Sequence, residues 1–166
     1  AATPETRQTE IRRTLLQHLD PSTRLQPVEL GQEPLQQLLQ RHGIDVDADL
    51  LFFAELMAAG EHRSPFWHGR GPRLLDLALA MNQTAGQPVE PAQLAAAVCL
   101  HDLGMAFLPL DLLHKGSELN REERRQVQSH PRQACELLKR MPAWATASEI
   151  ILQHQEHADG SGYPKG

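Results

Sequence analysis

An all-α fold is the class this sequence predicts, and three observations carry it. Apolar residues recur at helical spacing in one segment after another, no stretch alternates with a period of two for long enough to make a strand, and several of the periodic segments open on a proline or close at a glycine. The 166 residues make one domain of ordinary size, or one domain with a small accessory piece. With 40% hydrophobic and 22% charged residues the composition is globular, and a chain of this length buries enough surface to fold without a disulfide or a metal. Cys99 and Cys135 form no CxxC motif and are expected to be reduced core thiols of a cytoplasmic protein. The longest apolar run, Leu94 to Leu100, is far short of the roughly 20 residues that span a bilayer. No signal-peptide pattern opens the sequence, and the absence of an initiator methionine suggests a fragment or a processed chain. A net charge of −5 argues against a nucleic-acid surface, and 4% aromatic residues are too few for base-stacking platforms.

The elements follow in order. Thr3 and Pro4 open a helix with Ile11, Leu15 and Leu16 at helical spacing, and the proline-rich stretch from 20 to 34 reads as a linker. A second helix runs from Pro34 to His42 and stops at Gly43; a third covers about 47 to 59 and ends at Gly60. A fourth starts at Pro72, and a fifth runs from Pro91 to His101. After a loop with Gly104 and Pro109 comes a short turn at 110 to 114. Asn120 and Glu123 then form a capping box that opens a long helix to about Arg140, which Pro131 must kink or restart. The last helix runs from about Ala143 to His157, before the glycine-rich DGSGYPKG end.

Nine histidines are the conspicuous feature of the composition. Leu94, Ala97, Val98 and His101 share one helical face; so do Val127, His130, Ala134, Leu137 and Leu138, and so do Ile150, Ile151 and His154. Three helices therefore each aim a histidine inward, and Asp102 directly follows the first. One inward histidine is ordinarily a satisfied core residue. Three beside a carboxylate admit two readings: separate polar partners for each, or one metal centre that satisfies all of them. His18, His42 and His114 lie near helix ends, where a contact with the helix dipole explains them. His62 and His68 sit in the loop EHRSPFWHGRGP, and Cys99 points off the His101 face into the core.

The stretch from 101 to 166 resembles an HD-GYP domain, a branch of the HD superfamily of metal-dependent phosphohydrolases whose members hydrolyse cyclic di-GMP. The resemblance rests on His101-Asp102 with Gly104, Pro109, Leu113 and Lys115, then His130-Pro131, then His154 and Glu156, and finally Asp159-Gly160-x-Gly162-Tyr163-Pro164. It implies an HD-type helical bundle over 61–166, preceded by a short helical accessory or linker segment over 1–60. It implies His101, Asp102, His130 and His154 as metal ligands, with His101 and Asp102 at the catalytic centre. His68 matches, loosely, the histidine that the family places one helix upstream, and His157 is a candidate ligand one turn after His154. Lys115, Gly160, Gly162, Tyr163 and Pro164 are the implied substrate-binding residues. One or two divalent ions, iron or manganese, would suit imidazole and carboxylate donors and could activate water for phosphodiester cleavage.

Departures from the family pattern bear on activity. Met105 stands where the family has a lysine, and Gln155 where it has a second histidine after His154. The acidic residue that supports a third metal in some members is not apparent, although Glu61 is nearby, and the sequence stops before the family's final helix, which carries a further Asp ligand. The expectations are therefore a cyclic di-GMP phosphodiesterase of low activity, or a degenerate module that binds a nucleotide or a partner protein without turnover. A plain helical scaffold around one structural metal is the third reading. Asp159 to Pro164 is expected to form an ordered turn beside the histidines, with the Tyr163 ring over the edge of the site.

Overall fold

A computed structural model describes residues 29–166 apart from 31, 32, 65, 66 and 68. The expected first helix, His18, most of the 20–34 linker and His68 lie outside the described residues. In chain order the elements are a two-residue antiparallel ladder, β1 (Glu29–Leu30) with β2 (Glu33–Pro34), and then α1 (Leu35–Arg41), α2 (Ala48–Glu61), α3 (Arg70–Thr84) and α4 (Pro91–Leu100). A 3-10 turn (Leu103–Phe107) and α5 (Leu110–Leu113) follow. The rest is α6 (Arg121–Gln128), α7 (His130–Leu138), a 3-10 turn (Pro142–Trp144) and α8 (Ala145–Gln153). The fold is all-α, as its apolar periodicity requires; the ladder pairs Glu29 with Pro34 and Leu30 with Glu33 and extends no further.

Helix α4 is the axis of the bundle. Its residues Ala95 to Leu100 are all buried, and it packs against α2, α3 and α8 at once. A helix that is apolar all round must be enclosed, and its alanines let three neighbours approach closely. Glu90 caps its start by accepting from the Ala92 and Gln93 amides, with Pro91 in the first turn. Gln93 then ties α4 to the start of α8, donating to the Ala143 carbonyl at 2.8 Å and accepting from the Ala147 amide at 2.9 Å. Leu35, Leu38 and Leu39 of α1 join the same core as α2, where Phe53 meets Trp144 edge-on with ring centroids 5.2 Å apart. The Trp144 indole donates to Asp49 at 2.9 Å.

Three helices differ from the sequence expectation, the last of them α8, which ends at Gln153 and not at about His157. α3 begins at Arg70, not at Pro72, because its cap is not local: the Glu61 carboxylate, at the end of α2, accepts from the amides of Gly69 and Gly71. The long helix over 120–140 is two helices, α6 and α7, that break at Ser129 directly before His130-Pro131, since Pro131 has no amide to donate. The capping box at the start of α6 is formed, with Glu123 N to Asn120 Oδ1 at 2.9 Å and Asn120 N to Glu123 Oε2 at 2.8 Å.

Arg63 is the residue that holds the segment after Asp102 in place. Its guanidinium donates to the carbonyls of Met105 at 3.1 Å, of Leu108 at 3.0 Å, and of Ala106 between them. The Gly104 backbone lies against the backbone of His130 so closely that any Cβ at 104 would collide with the His130 carbonyl. Replacing Arg63 with Met orphans three carbonyls and should destabilise the chain by about 2–4 kcal/mol. Gly104→Ala should lose about 3 kcal/mol by overpacking. Both losses are read from urea denaturation monitored by circular dichroism.

Candidate metal centre

His101, His130 and His154 are built into the chain by one local device used three times. Each lies where a helix ends, and each imidazole turns back to the carbonyl three residues earlier. His101 Nδ1 meets Val98 O at 2.8 Å, His130 Nδ1 meets Val127 O at 2.7 Å, and His154 Nδ1 meets Ile151 O at 2.7 Å. Carbonyls of the last helical turn lack intrahelical donors, so each histidine satisfies one of them at the end of α4, α6 or α8. The bond also selects the tautomer: Nδ1 carries the proton, and Nε2 presents a lone pair.

Those lone pairs converge with Asp102. His130 Nε2 and His154 Nε2 are 3.2 Å apart, and Asp102 Oδ1 lies 3.5 Å from the first and 3.8 Å from the second. One donor atom from each of Asp102, His130 and His154 falls within 4.8 Å of the others, the one such group among the described residues. His101 stands on the other side of the carboxylate, with Nε2 3.2 Å from Asp102 Oδ2 and its ring edge-on to His154 at 5.2 Å. Two acceptor nitrogens that face one another beside a carboxylate repel unless a proton or a metal ion lies between them, and the C-termini of α4 and α8 add negative potential at the same place. His130 is fully buried, so water offers no relief. The donor set fits a divalent transition metal: two or three imidazole nitrogens and a carboxylate oxygen, each imidazole oriented by a carbonyl behind it.

The electrostatics agree with this division of the site. Burial holds His130 below the ordinary imidazole value. It does the same for His154, where His101 and His130 add to the effect. Burial also pulls His101 down, but the hydrogen bond and charge of Asp102 outweigh it, and His101 titrates above its ordinary value. For Asp102 burial pushes the carboxyl up, yet His101, His130 and Arg70 prevail and hold it at about 2.

The C-terminal turn lies beside this cluster. The Tyr163 ring meets His130 edge-on at 6.3 Å, and the Tyr163 amide donates to Gln155 O at 3.1 Å. Gly162 sits so close to the backbone of Gln155–His157 that a Cβ there would collide with it, and Gly160 takes a φ of 78° that other residues rarely adopt. Glu156 closes the turn by accepting from the amides of Lys165 at 2.6 Å and Gly166 at 3.2 Å. Pro164 is half-buried in this turn.

Other expected site residues are placed elsewhere. α8 ends at Gln153, so His157 is not on the His154 face; it is exposed, and its Nδ1 lies 2.9 Å from Ser161 Oγ. The Lys115 ammonium is paired with Glu123 of the capping box. Glu61 spends its carboxylate on the start of α3. His42 pairs with Asp76 at 2.7 Å, and Cys99 and Cys135 are buried free thiols, with burial pushing Cys99 up to about 12. Met105 and Gln155 do reach the site: with Arg70, His101, Asp102 and His154 they line an open cleft of about 400 Å3. Sequence reasoning passed over Arg63 and Arg70, although both lie in the loop and helix start that it inspected for histidines.

A pH dependence follows from the three imidazoles. The unfolded chain protonates His130 and His154 near pH 6.5, whereas the folded chain does so only at lower pH. Their contribution to stability is thus full above about 6.5 and is lost as the pH falls towards their folded values. His101 is raised, so its contribution runs the other way, full below about 6.5 and lost as the pH rises through its folded value. Protonation of His130 and His154 should therefore lower the melting temperature of the metal-free chain from pH 7.5 to pH 5.5, with His101 opposing it. His154→Gln should flatten that difference, as read by thermal melts in chelator.

The HD domain family profile matches residues 56–166. The chain is 30% identical over 105 residues to 3'3'-cGAMP-specific phosphodiesterase 3 of Vibrio cholerae, covering 63% of this chain and 23% of that protein. It is 28% identical over 129 residues to 3'3'-cGAMP-specific phosphodiesterase 1 of the same organism, covering 76% of this chain and 29% of the relative. A cyclic di-GMP phosphodiesterase of Pseudomonas aeruginosa is 32% identical over 119 residues, 70% of this chain and 28% of its own length. The chain thus spans under a third of each of these relatives. No solved structure matches it significantly. With the His101-Asp102 pair, the two later histidines and the GYP turn gathered at one point, and the family profile covering that whole region, this chain belongs to the HD-domain family, in its HD-GYP branch.

Proposed function

We propose that the chain carries the catalytic site of a metal-dependent phosphodiesterase acting on cyclic di-GMP or a related cyclic dinucleotide. The observation that supports this most is the convergence of Asp102 Oδ1, His130 Nε2 and His154 Nε2, with both imidazoles already oriented by carbonyls. In this reading Asp102, His130 and His154 hold a divalent ion, iron or manganese, with His101 as a further ligand across the Asp102 carboxylate. A bound ion would supply Lewis acidity at a phosphoryl oxygen and an activated water. The protein's own part is to fix the donors, to keep His130 dry, and to present a cleft beside them. Residues 61–166 form the functional unit, and residues 1–60 are an accessory segment whose described helices share its core. By resemblance the GYP turn, through Gly160, Gly162, Tyr163 and Pro164, contributes to substrate binding from the His130 side of the site; Lys115 is assigned with it and would have to leave Glu123 to take part. His68 and His157 remain accessory candidates, and a cytoplasmic setting goes with the reading.

A specific observation favours low turnover, and with it the second reading of a module that binds without cleaving. The cleft wall that faces the substrate carries Met105 and Gln155, neither of which offers a positive charge or a good ligand nitrogen.

The purified chain should retain one or two divalent ions per molecule by elemental analysis. It should convert cyclic di-GMP slowly to a linear product in a chelator-sensitive way. His130→Ala should lower the metal content at least tenfold and abolish turnover. Met105→Lys should raise the rate by about 10²-fold with metal content unchanged. Cyclic di-GMP bound but never cleaved by the loaded chain, with or without the lysine, would decide for the binding module; a chain that takes up no metal would sink the catalytic reading and favour that module.

A further inference from the structure

The cleft beside the convergent donors contains a charged group that the proposed chemistry has not yet used. Of the described residues lining it, the ionisable ones are Arg70, His101, Asp102 and His154, so Arg70 is its one fixed cation. Arg70 opens α3, at the positive end of a helix dipole, where a cation is unfavourable and where no acidic residue in the first turn offsets it. The helix start does not need it either, since Glu61 already accepts from the Gly69 and Gly71 amides. Its ion pair explains its place only weakly. Nη1 lies 3.4 Å from Asp102 Oδ2, and the side chain is 55% exposed, a loose and solvated contact.

Asp102 divides its two oxygens. Oδ1 faces His130 and His154, while Oδ2 faces His101 and Arg70. The guanidinium therefore stands at the rim of the donor cluster without sharing the oxygen that the cluster uses. Its planar fork of N–H donors matches two phosphoryl oxygens, and a half-exposed side chain on a long stem can turn from Asp102 into the cleft. We propose that Arg70 is the phosphate-binding residue of this cleft, gripping a phosphodiester group that enters beside Asp102 and His154. The assignment rests on the cyclic-dinucleotide reading for its substrate, and on the cleft geometry alone for its chemistry.

The test uses the metal-loaded chain, with calorimetric titration of cyclic di-GMP and, separately, of inorganic phosphate. Arg70→Met should weaken both by about ten- to a hundredfold, the loss of a charge-assisted bidentate contact. Metal content and melting temperature should stay at the wild-type level. Arg70→Lys should recover part of the affinity. Arg73→Met, one turn along the same helix, exposed and outside the cleft, should change nothing. Unchanged binding in Arg70→Met overturns the assignment. So does a parallel loss of metal, which would make Arg70 a residue that merely positions Asp102. A wild-type chain that binds phosphate through Arg70 but no cyclic dinucleotide leaves the assignment standing and removes the substrate reading; one that binds neither removes both.

Discussion

Three helices end at one point, and the imidazoles that cap their last carbonyls leave their second nitrogens facing each other and Asp102. The rest of the structure follows from this constraint. Each carbonyl bond removes the freedom of an imidazole to flip, so the lone pairs cannot avoid one another by changing tautomer. The carbonyl of Val127 and the facing nitrogen of His154 give the His130 ring its polar partners, which is how a helical bundle with an otherwise apolar core comes to hold His130 without exposure.

Holding three helix ends within a few ångströms of one another needs support from further away. α4 supplies the axis and carries His101 at its end; Gln93 locks the start of that axis to α8, whose other end carries His154. The break between α6 and α7 places His130, and the glycine at 104 lets the 3-10 turn lie directly on its backbone. Arg63 gathers the carbonyls of that turn. These are contacts of backbone and long polar side chains, directional ones, and they set the site's position more finely than apolar packing does.

The site is asymmetric about the Asp102 carboxylate. One face is dry, lined by His130 and closed by the Tyr163 ring. The other opens to the cleft, where Arg70, Met105 and Gln155 meet whatever enters. The convergent donor atoms of Asp102, His130 and His154 lie at one end of the cleft, whose wall has a cation in one place and neutral side chains elsewhere. Under the proposed function, such a wall would hold an anion while offering little help to a developing charge.

Much of this could be read along the chain. Helical periodicity named the class, the inward faces named His101, His130 and His154, and the Asn120–Glu123 capping box formed as its spacing requires, because each of these depends on residues within one or two turns of each other. Pro131 marked a break, and its missing amide accounts for two helices where one was expected. The remaining features join residues that are distant in sequence. Glu61 starts α3 from the end of the preceding helix, Arg63 reaches carbonyls more than forty positions away, and Arg70 meets Asp102 across the bundle. His157 shows the converse: on an ideal helix it shares a face with His154, but the helix stops at Gln153 and the GYP turn takes the chain elsewhere. The sequence alone determined which residues face inward, because that depends on local periodicity. Only the tertiary structure decided which of them meet and which cation stands beside them, because those contacts depend on how separate helices pack and on long side chains whose reach no local pattern records.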